Sequence, residues 1–249
     1  MIDYSAAGGV ARITLNRPDK RNAITSEMMS ALRDALQRAA DDSEVRVLLI
    51  RGAGKDFCAG LDLSEVLLRS AEDAPGALAS ATLLGDLYIA MRRHPKPIVA
   101  AVQGRAFGGG AGIATACDLI IAAESAQFGY PEVKLGFVPA IVTTMLRRAV
   151  NERQAMELAL TGEPMSASRA CAIGLINRVV PDAEFEAAVE HYVAGLAEKS
   201  ATAMSLSKAL LYRTEGMSFE ASIEAGVKAN VQARTTEDFK RGVERFLKR

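Results

Sequence analysis

The fold of this chain is organised around residues 100–112, which read Ala100-Ala101-Val102-Gln103-Gly104-Arg105-Ala106-Phe107-Gly108-Gly109-Gly110-Ala111-Gly112. The apolar run that ends at Val102 predicts a buried strand. The small residues after Gly110 predict a tightly packed helix. Three consecutive glycines at a strand-to-helix turn leave backbone N–H groups uncovered and directed along the helix dipole. Such a turn favours negative charge, either on a phosphate or developing on a reacting oxygen.

The same glycines also fit a tight turn or a close packing contact, which is the commoner role of such clusters. Two phosphate-binding patterns are excluded. A dinucleotide fingerprint that starts at Gly108 and Gly110 needs a third glycine at position 113, where the chain has Ile113. A P-loop needs a Gly-Lys-Ser/Thr sequence after the glycines, and the chain has none there.

Composition excludes several classes of protein. The chain has 249 residues, 49% of them hydrophobic, which suffices for one large domain or a domain with an appendage. Its 30 basic and 30 acidic residues cancel, which argues against a nucleic-acid binder that relies on a strong overall field. Its three cysteines and two histidines suggest neither a disulfide framework nor a metal cluster. Without a membrane-length apolar run or a signal-peptide pattern, we expect a soluble, cytoplasmic protein with no metal, nucleic acid or membrane partner.

Strand and helix signals are mixed as far as Pro181, and helix signals alone follow it. Strands are predicted at 10–15, 45–50, 98–102, 119–123 and 177–180. Helices are predicted at 25–40, 86–93, 140–148, 152–160, 166–172, 182–199, 202–215, 218–229 and 236–248. Between them, Pro75-Gly76 is expected to break any helix within residues 64–85, which we interpret as a mobile, partly helical segment near the site.

A second glycine-bearing turn follows the strand predicted at 45–50. Residues 51–63 read Arg51-Gly52-Ala53-Gly54-Lys55-Asp56-Phe57-Cys58-Ala59-Gly60-Leu61-Asp62-Leu63 and lead into a predicted helix. Two turns of this kind can each direct one backbone N–H at the same oxygen atom.

Several short motifs occur in an order and spacing that resemble the crotonase superfamily, and within it the enoyl-CoA hydratase/isomerase family. They are Asn16-Arg17-Pro18, Asn22-Ala23, residues 57–63 (FCAGLDL), residues 104–110 (GRAFGGG), Cys117-Asp118, residues 126–132 (AQFGYPE), Gly136 and Pro139. The resemblance covers nearly the whole chain. Each motif alone is a weak signal, but the ordered set is specific for the superfamily and less specific for the reaction.

The resemblance implies an α/β fold in two parts. Residues 1–190 would form a crotonase-like superhelix, a spiral of ββα units with two roughly perpendicular sheets. Residues 191–249 would form a C-terminal helical region that assembles homotrimers or homohexamers.

The resemblance also implies the chemistry. The backbone amides of Leu61 and Gly109 would bind the carbonyl oxygen of an acyl-CoA thioester and stabilise an enolate, and donors of this kind contribute about 2.7–4 kcal/mol each. Glu132 would be the catalytic acid/base. Gly112 stands where hydratases of the family have a second glutamate. A single glutamate fits isomerases that shift a double bond from C3 to C2, and it also fits hydration if other polar groups hold the water.

Coenzyme A would be part of the substrate, so no separate cofactor is expected. The family's substrate contacts correspond to Lys20, Arg21, Lys55, Ala59, Leu61, Asp62, Gly109, Phe246 and Arg249, with Phe246 and Arg249 often acting across a subunit boundary. Each cation fits plain surface charge equally well. The bulky apolar residues at 137–142 would shape the acyl pocket.

The sequence therefore predicts an acyl-CoA-processing enzyme of the enoyl-CoA hydratase/isomerase type, in fatty-acid or related acyl-CoA metabolism. The alternative is a non-catalytic scaffold of the same fold that binds CoA esters or RNA. The neutral charge argues against RNA, and the presence of Glu132 argues against lost activity. Dehalogenation, decarboxylation and ring chemistry on this fold stay open.

Overall fold

A fully buried strand lies at the centre of the protein. The computed structural model describes residues 1–67 and 73–248. Within it, the strand Ile98–Val102 has all five residues at 0% exposure. A strand covered on both faces gives an unbroken apolar run rather than an alternating one. The strand predicted at 98–102 is confirmed.

This strand is β4 of a six-stranded main sheet. In chain order the strands of that sheet are β1 (Ile2–Ala7), β2 (Val10–Leu15), β3 (Val47–Gly52), β4 (Ile98–Val102), β6 (Leu119–Ala123) and β9 (Arg178–Val180). They lie side by side in that same order. β1 pairs antiparallel with β2, and every later pair runs parallel. β1 is absent from the predictions because its mostly exposed side chains give little alternation.

A smaller sheet begins directly after β4. It comprises β5 (Arg105–Phe107), β7 (Gln127–Gly129) and β8 (Met165–Ser166) in the order β5-β7-β8. The chain passes from one sheet to the other at Gly104, whose φ is +55°. A Cβ at that point would lie 2.8 Å from Oδ1 of Asp56, so the turn requires glycine.

Helices cover the sheets and continue after the last strand. They are α1 (Ser26–Asp41), α2 (Ala74–Arg93), α3 (Gly109–Ala116), α4 (Ala140–Ala149), α5 (Glu152–Thr161), α6 (Ala167–Ala172), α7 (Phe185–Ala197), α8 (Ala201–Arg213), α9 (Phe219–Arg234) and α10 (Glu237–Leu247). The start of α1 is as predicted: the Thr25 side chain accepts a hydrogen bond from the Met28 N–H at 3.1 Å, which satisfies one free donor of the first turn.

Helix α2 corrects one prediction. Pro75-Gly76 does not break the helix, because Pro75 lies in its first turn, where a missing N–H costs no intrahelical bond. The helix predicted at 86–93 is therefore only the second half of α2. The interpretation of residues 64–85 as mobile falls partly on residues 68–72, which lie outside the described residues.

Among the described residues, α2 is also the one helix long and apolar enough to span a membrane by length and composition, with 20 residues and an 18-residue window of mean hydropathy 1.2. The sequence-based expectation that the chain has no membrane-spanning segment stays a prediction, because the helix qualifies by length and composition alone. Core helices pass the same test, and α2 packs on α1, α3 and α4. Its buried side chains are Leu84, Leu87, Tyr88 and Met91.

The predicted boundary at residue 190 lies inside α7. This helix packs on the main sheet through Val189 and Val193, which are 1% and 0% exposed. The ion pair between Arg12 and Glu190 also ties it to β2. The division of the chain at residue 190 stays a prediction.

Candidate active site

Two chain segments that follow neighbouring strands run side by side. The segment after β3 pairs with β5 through a short bridge between Cys58 and Ala106. The Cys58 N–H donates to the Arg105 carbonyl at 2.9 Å, and the Phe107 N–H donates to the Cys58 carbonyl at 3.0 Å. These bonds place the turn at Gly60-Leu61 beside the start of α3.

The two amides predicted to act together lie close to each other. The nitrogen of Leu61 is 3.6 Å from the point where a Cβ on Gly109 would lie. From the other side, a Cβ on Gly60 would lie 3.8 Å from the nitrogen of Gly109. Within the described residues, neither the Leu61 N–H nor the Gly109 N–H donates a hydrogen bond to the protein. Both N–H groups are therefore available to an acceptor from outside the chain.

The glycines around these amides are required by close approach. A Cβ on Gly110 would lie 2.7 Å from both Cβ and Sγ of Cys58. Gly108 has a φ of +51°, and a Cβ there would lie 3.2 Å from Oε1 of Glu132. The glycine run therefore lets the backbone of α3 lie against the turn at Cys58 on one side and against a carboxylate on the other.

Glu132 stands at the start of the short 3₁₀ helix Pro131–Leu135, directly after β7. Its Oε2 atom is buried and has no hydrogen-bond partner in the described structure. Burial raises the pKa of Glu132 above its usual value because the charged form loses water. A half-buried carboxyl group with an unsatisfied oxygen is suited to exchanging a proton with a bound molecule.

Glu132, Leu61 and Gly109 border one cavity of about 310 Å³. The other described lining residues are Ala77, Ser80, Ala81, Leu84, Tyr88, Phe137, Val138, Pro139, Ala140, Ile141 and Val142. Most of these are apolar, so the cavity can hold a hydrocarbon chain beside two amides and one carboxyl group. In the described parts of the chain, no three His, Cys, Asp or Glu side chains come together to hold a metal ion.

Tyr88 of α2 occupies the space next to Gly112. The Tyr88 Cζ lies 2.7 Å from the point where a Cβ on Gly112 would be, and the hydroxyl lies closer still. The hydroxyl donates a hydrogen bond to the Gly109 carbonyl at 3.0 Å. Tyr88 is not among the predicted site residues, because nothing in the sequence of α2 shows which later helix it touches.

The predicted coenzyme A contacts near residue 20 and at residue 55 lie on chain segments that are joined by hydrogen bonds. Asn22, which is fully buried, donates from its side-chain amide to the carbonyls of Ala53 and Asp56 at 2.9 and 2.8 Å. The Ala59 N–H donates to the Arg21 carbonyl at 2.9 Å. These bonds bring the exposed side chains of Lys20, Arg21 and Lys55 onto neighbouring loops. Asn22 belongs to a quoted motif, but its role in joining the loops is visible only in the structure.

The other predicted contacts are Asp62, Phe246 and Arg249. The Asp62 carboxylate is bonded to Arg17 and Ser64 within the chain. Phe246 is 78% exposed on α10, which packs on α9, and it is not among the described residues that line the cavity. Arg249 lies outside the described residues.

Comparison with known proteins identifies the family of the chain. The family model described as "Enoyl-CoA hydratase/isomerase" matches residues 5–249. The chain belongs to the enoyl-CoA hydratase/isomerase family. The crotonase-superfamily resemblance of its motifs is thereby confirmed.

Relatives of this hydratase/isomerase family member align over nearly their whole length. A Rhizobium meliloti protein named "Probable enoyl-CoA hydratase" is 38% identical, with 96% of this chain and 92% of that protein aligned. A Bacillus subtilis protein of the same name is 35% identical, with 96% and 93% aligned. The crystal structure of human enoyl coenzyme A hydratase domain-containing protein 3 superposes with a TM-score of 0.95 at 28% identity, covering 99% of this chain and 97% of that one. The predicted α/β crotonase fold with C-terminal helices is confirmed.

Proposed function

We propose that this protein catalyses proton transfer at the carbon next to the thioester carbonyl of an enoyl-CoA, and that it shifts a carbon–carbon double bond. The observation that carries the proposal is the position of Glu132. Its buried Oε2 has no partner in the described structure, and the residue lines the same cavity as the Leu61 and Gly109 backbones. Family membership supports an acyl-CoA substrate.

In the proposed reaction the thioester oxygen accepts hydrogen bonds from the N–H groups of Leu61 and Gly109. Glu132 removes a proton from C2 of a 3-enoyl-CoA, and the electron pair of the broken C–H bond moves into the carbonyl to form a dienolate. The two amides stabilise the negative oxygen, each by about 2.7–4 kcal/mol. Glu132 then returns the proton to C4, and the double bond ends between C2 and C3.

The environment of Glu132 favours this use. A raised pKa makes its carboxylate a stronger base than an exposed one, although a carbon acid remains a difficult proton donor. Among the described residues that line the cavity, Glu132 carries the single carboxyl group. A 1,3-proton shift needs one group that takes and returns a proton, whereas hydration must also position and deprotonate water. We therefore favour isomerisation.

Hydration of a 2-enoyl-CoA is the second candidate. The names of the relatives favour it, because the aligned Rhizobium and Bacillus proteins are both called enoyl-CoA hydratases. In that case Glu132 would take a proton from water as the water oxygen adds at C3, and would deliver a proton to C2. A role in fatty-acid or related acyl-CoA metabolism is part of the proposal under either reaction.

The substrate would lie with its acyl chain among the apolar residues of the cavity and its nucleotide phosphates near Lys20, Arg21 and Lys55. These three cations are exposed on adjoining loops, and cations of this kind attract phosphate. Coenzyme A enters and leaves as part of the substrate, so the proposed reaction needs no separate cofactor.

The C-terminal helices support the proposal that the protein forms homotrimers or homohexamers. Several large apolar side chains on them are more than half exposed in the single chain: Leu211, Phe219, Ile223, Val227, Val231, Phe246 and Leu247. Exposed apolar surface of this extent marks an interaction surface. Assembly would also bring Phe246 to a neighbouring subunit, as its proposed substrate contact requires.

The test is to incubate the protein with 3-enoyl-CoA and with 2-enoyl-CoA in heavy water and to follow double-bond position, deuterium incorporation and hydration. We expect isomerisation with deuterium exchange, both abolished by Glu132→Gln and unchanged by Glu44→Gln, which alters an exposed carboxylate away from the cavity. Hydration without isomerisation would replace the first candidate by the second. CoA-ester binding with neither reaction would overturn both and favour the scaffold alternative.

A further inference from the structure

The helix that carries the Gly109 amide begins with a sequence of low helix propensity. The first four residues of α3 are Gly109, Gly110, Ala111 and Gly112, and its N-cap is Gly108, which has no side chain to cap the free N–H groups. Each glycine is about 1 kcal/mol less favourable than alanine in a helix. A first turn of this composition does not hold its own geometry, so contacts from other elements must position the Gly109 amide.

One such contact comes from α2. Tyr88 is 4% exposed, and its hydroxyl donates a hydrogen bond to the Gly109 carbonyl at 3.0 Å. The ring also fills the volume that a side chain at Gly112 would occupy. Tyr88 therefore touches the first turn of α3 both by hydrogen bonding and by packing. The same residue lines the cavity with Glu132.

We propose that Tyr88 is a positioning residue for the reaction, because it restrains the first turn of α3 and thereby keeps the Gly109 N–H aimed at the thioester oxygen. Its hydroxyl holds the Gly109 carbonyl, and its ring packs beside Gly112, whose N–H donates at 2.9 Å to the Gly108 carbonyl of the peptide that carries the Gly109 N–H. This inference rests on the proposed function, since it takes the Leu61 and Gly109 amides as the groups that bind the oxygen. It adds a residue from outside both glycine-bearing turns, which reaches the site from a different helix.

The electrostatics make Tyr88 a permanent donor. Burial raises the pKa of Tyr88 well above its usual value, and the nearby groups Cys58, Tyr130 and Glu132 raise it further. The phenol therefore keeps its proton throughout the neutral pH range. Because that proton is directed at the Gly109 carbonyl, Tyr88 acts through the backbone rather than as a second proton carrier beside Glu132.

The substitution Tyr88→Phe tests this assignment, because it removes the hydroxyl and keeps the ring that packs beside Gly112. We expect kcat to fall about tenfold, since small misplacements of catalytic groups cost one to two orders of magnitude in rate. We expect KM to change less than twofold. Tyr4→Phe is the matched control, because the Tyr4 hydroxyl is also buried but has no hydrogen-bond partner in the described structure and lies outside the cavity. It should leave both constants unchanged.

A second measurement is independent of turnover. The infrared carbonyl band of a bound saturated acyl-CoA shifts to lower frequency when two N–H groups polarise the thioester oxygen. We expect this shift in the wild type and in Tyr4→Phe, and a smaller shift in Tyr88→Phe. Thermal unfolding of each variant shows that the fold is retained.

The outcomes separate the two proposals. A wild-type kcat together with a wild-type carbonyl band in Tyr88→Phe would overturn the role of Tyr88 while leaving the proposed function intact. A carbonyl shift that is reduced in Tyr88→Phe, in a protein that neither isomerises nor hydrates, would support the role of Tyr88 and overturn the proposed reaction. A wild-type complex with no carbonyl shift would overturn both.

Discussion

The carboxylate of Asp62 accepts a hydrogen bond from Nη1 of Arg17 at 2.6 Å, and this ion pair joins the loop before α1 to the turn that carries Leu61. The second oxygen of Asp62 accepts from the hydroxyl and the N–H of Ser64 at 2.6 and 3.1 Å. Asp62 thus stands directly after the proposed oxyanion-binding amide of Leu61, and its bonds anchor the turn that carries this amide. Its proposed contact with coenzyme A stays a prediction.

We predict that Asp62→Asn destabilises the protein by about 1 kcal/mol and lowers kcat/KM, because it removes a charged acceptor from a partly buried hydrogen-bonded pair. Urea unfolding and steady-state kinetics measure the two effects. Asp86→Asn is the control, since Asp86 pairs with Arg33 at 3.9 Å on the surface and such pairs contribute little. Equal effects of the two substitutions would contradict the prediction.

We also predict that the contribution of Asp62 to the stability of the protein depends on pH. Bonds from Ser64 and Arg17 lower the pKa of Asp62 to about 2. Because the folded-state pKa is depressed, the unfolded chain binds the proton first as the pH falls. The stability that Asp62 contributes is therefore complete above its usual pKa near 4 and is lost as the pH falls from about 4 toward 2. The stability difference between wild type and Asp62→Asn should vanish over that range.

Glu132→Gln should make the protein more stable at pH 7, in addition to abolishing turnover. Burial raises the pKa of Glu132, so the charged form carries a desolvation cost when folded, and stability falls as the pH rises through the raised pKa. Glutamine removes that charge. The melting temperature of Glu132→Gln should exceed that of the wild type at pH 7 and converge with it below pH 4. The exposed control Glu44→Gln should show no such pH-dependent difference in melting temperature from the wild type. A Glu132→Gln protein that is less stable than the wild type at pH 7 would contradict the desolvation cost of the buried charge.

Gly112→Ala should destabilise the protein, although alanine normally stabilises a helix. The new Cβ would collide with the hydroxyl and Cζ of Tyr88, and Tyr88 is buried between α2 and α3. Gly195→Ala in α7 is the control, because a Cβ there meets nothing within 4 Å. We expect Gly195→Ala to gain up to about 1 kcal/mol and Gly112→Ala to lose about 1–3 kcal/mol. Chemical denaturation compares the two.

We predict that acid destabilises the contact that His94 makes between α1 and the end of α2. The ring is 5% exposed; Nε2 faces the Leu36 carbonyl at 3.1 Å, and Nδ1 accepts from the Lys96 N–H at 3.1 Å. Burial is the main cause that lowers its pKa, with Lys208 and Lys96 adding to it. The unfolded chain therefore takes up the proton first, and stability should fall as the pH drops below about 6.5. Urea unfolding across this range should show a flatter pH dependence in His94→Gln than in the wild type.

Local patterns predicted much of the fold. The strand at 98–102 is recognisable because all its positions are buried and hence apolar, and α1 is recognisable because Thr25 caps an amphipathic run. Prediction failed where local rules compete with context. Pro75-Gly76 suggested a break in α2, but a proline in a first turn breaks no hydrogen bond. The exposed edge strand β1 has no buried face to mark it.

The sequence by itself determined the family and the strand-to-glycine-turn-to-helix order, because these depend on residue types at fixed spacing. The family resemblance in turn implied Glu132 as the catalytic carboxyl group. Only the tertiary structure decided how the groups meet. In the folded chain the Leu61 amide lies close to Gly109, and Oε2 of Glu132 is buried without a hydrogen-bond partner in the described structure. Tyr88 contacts Gly112 and the Gly109 carbonyl. The physical reason is that contacts between distant segments depend on how helices pack, and a helix such as α2 carries no local signal of which backbone its side chains will reach.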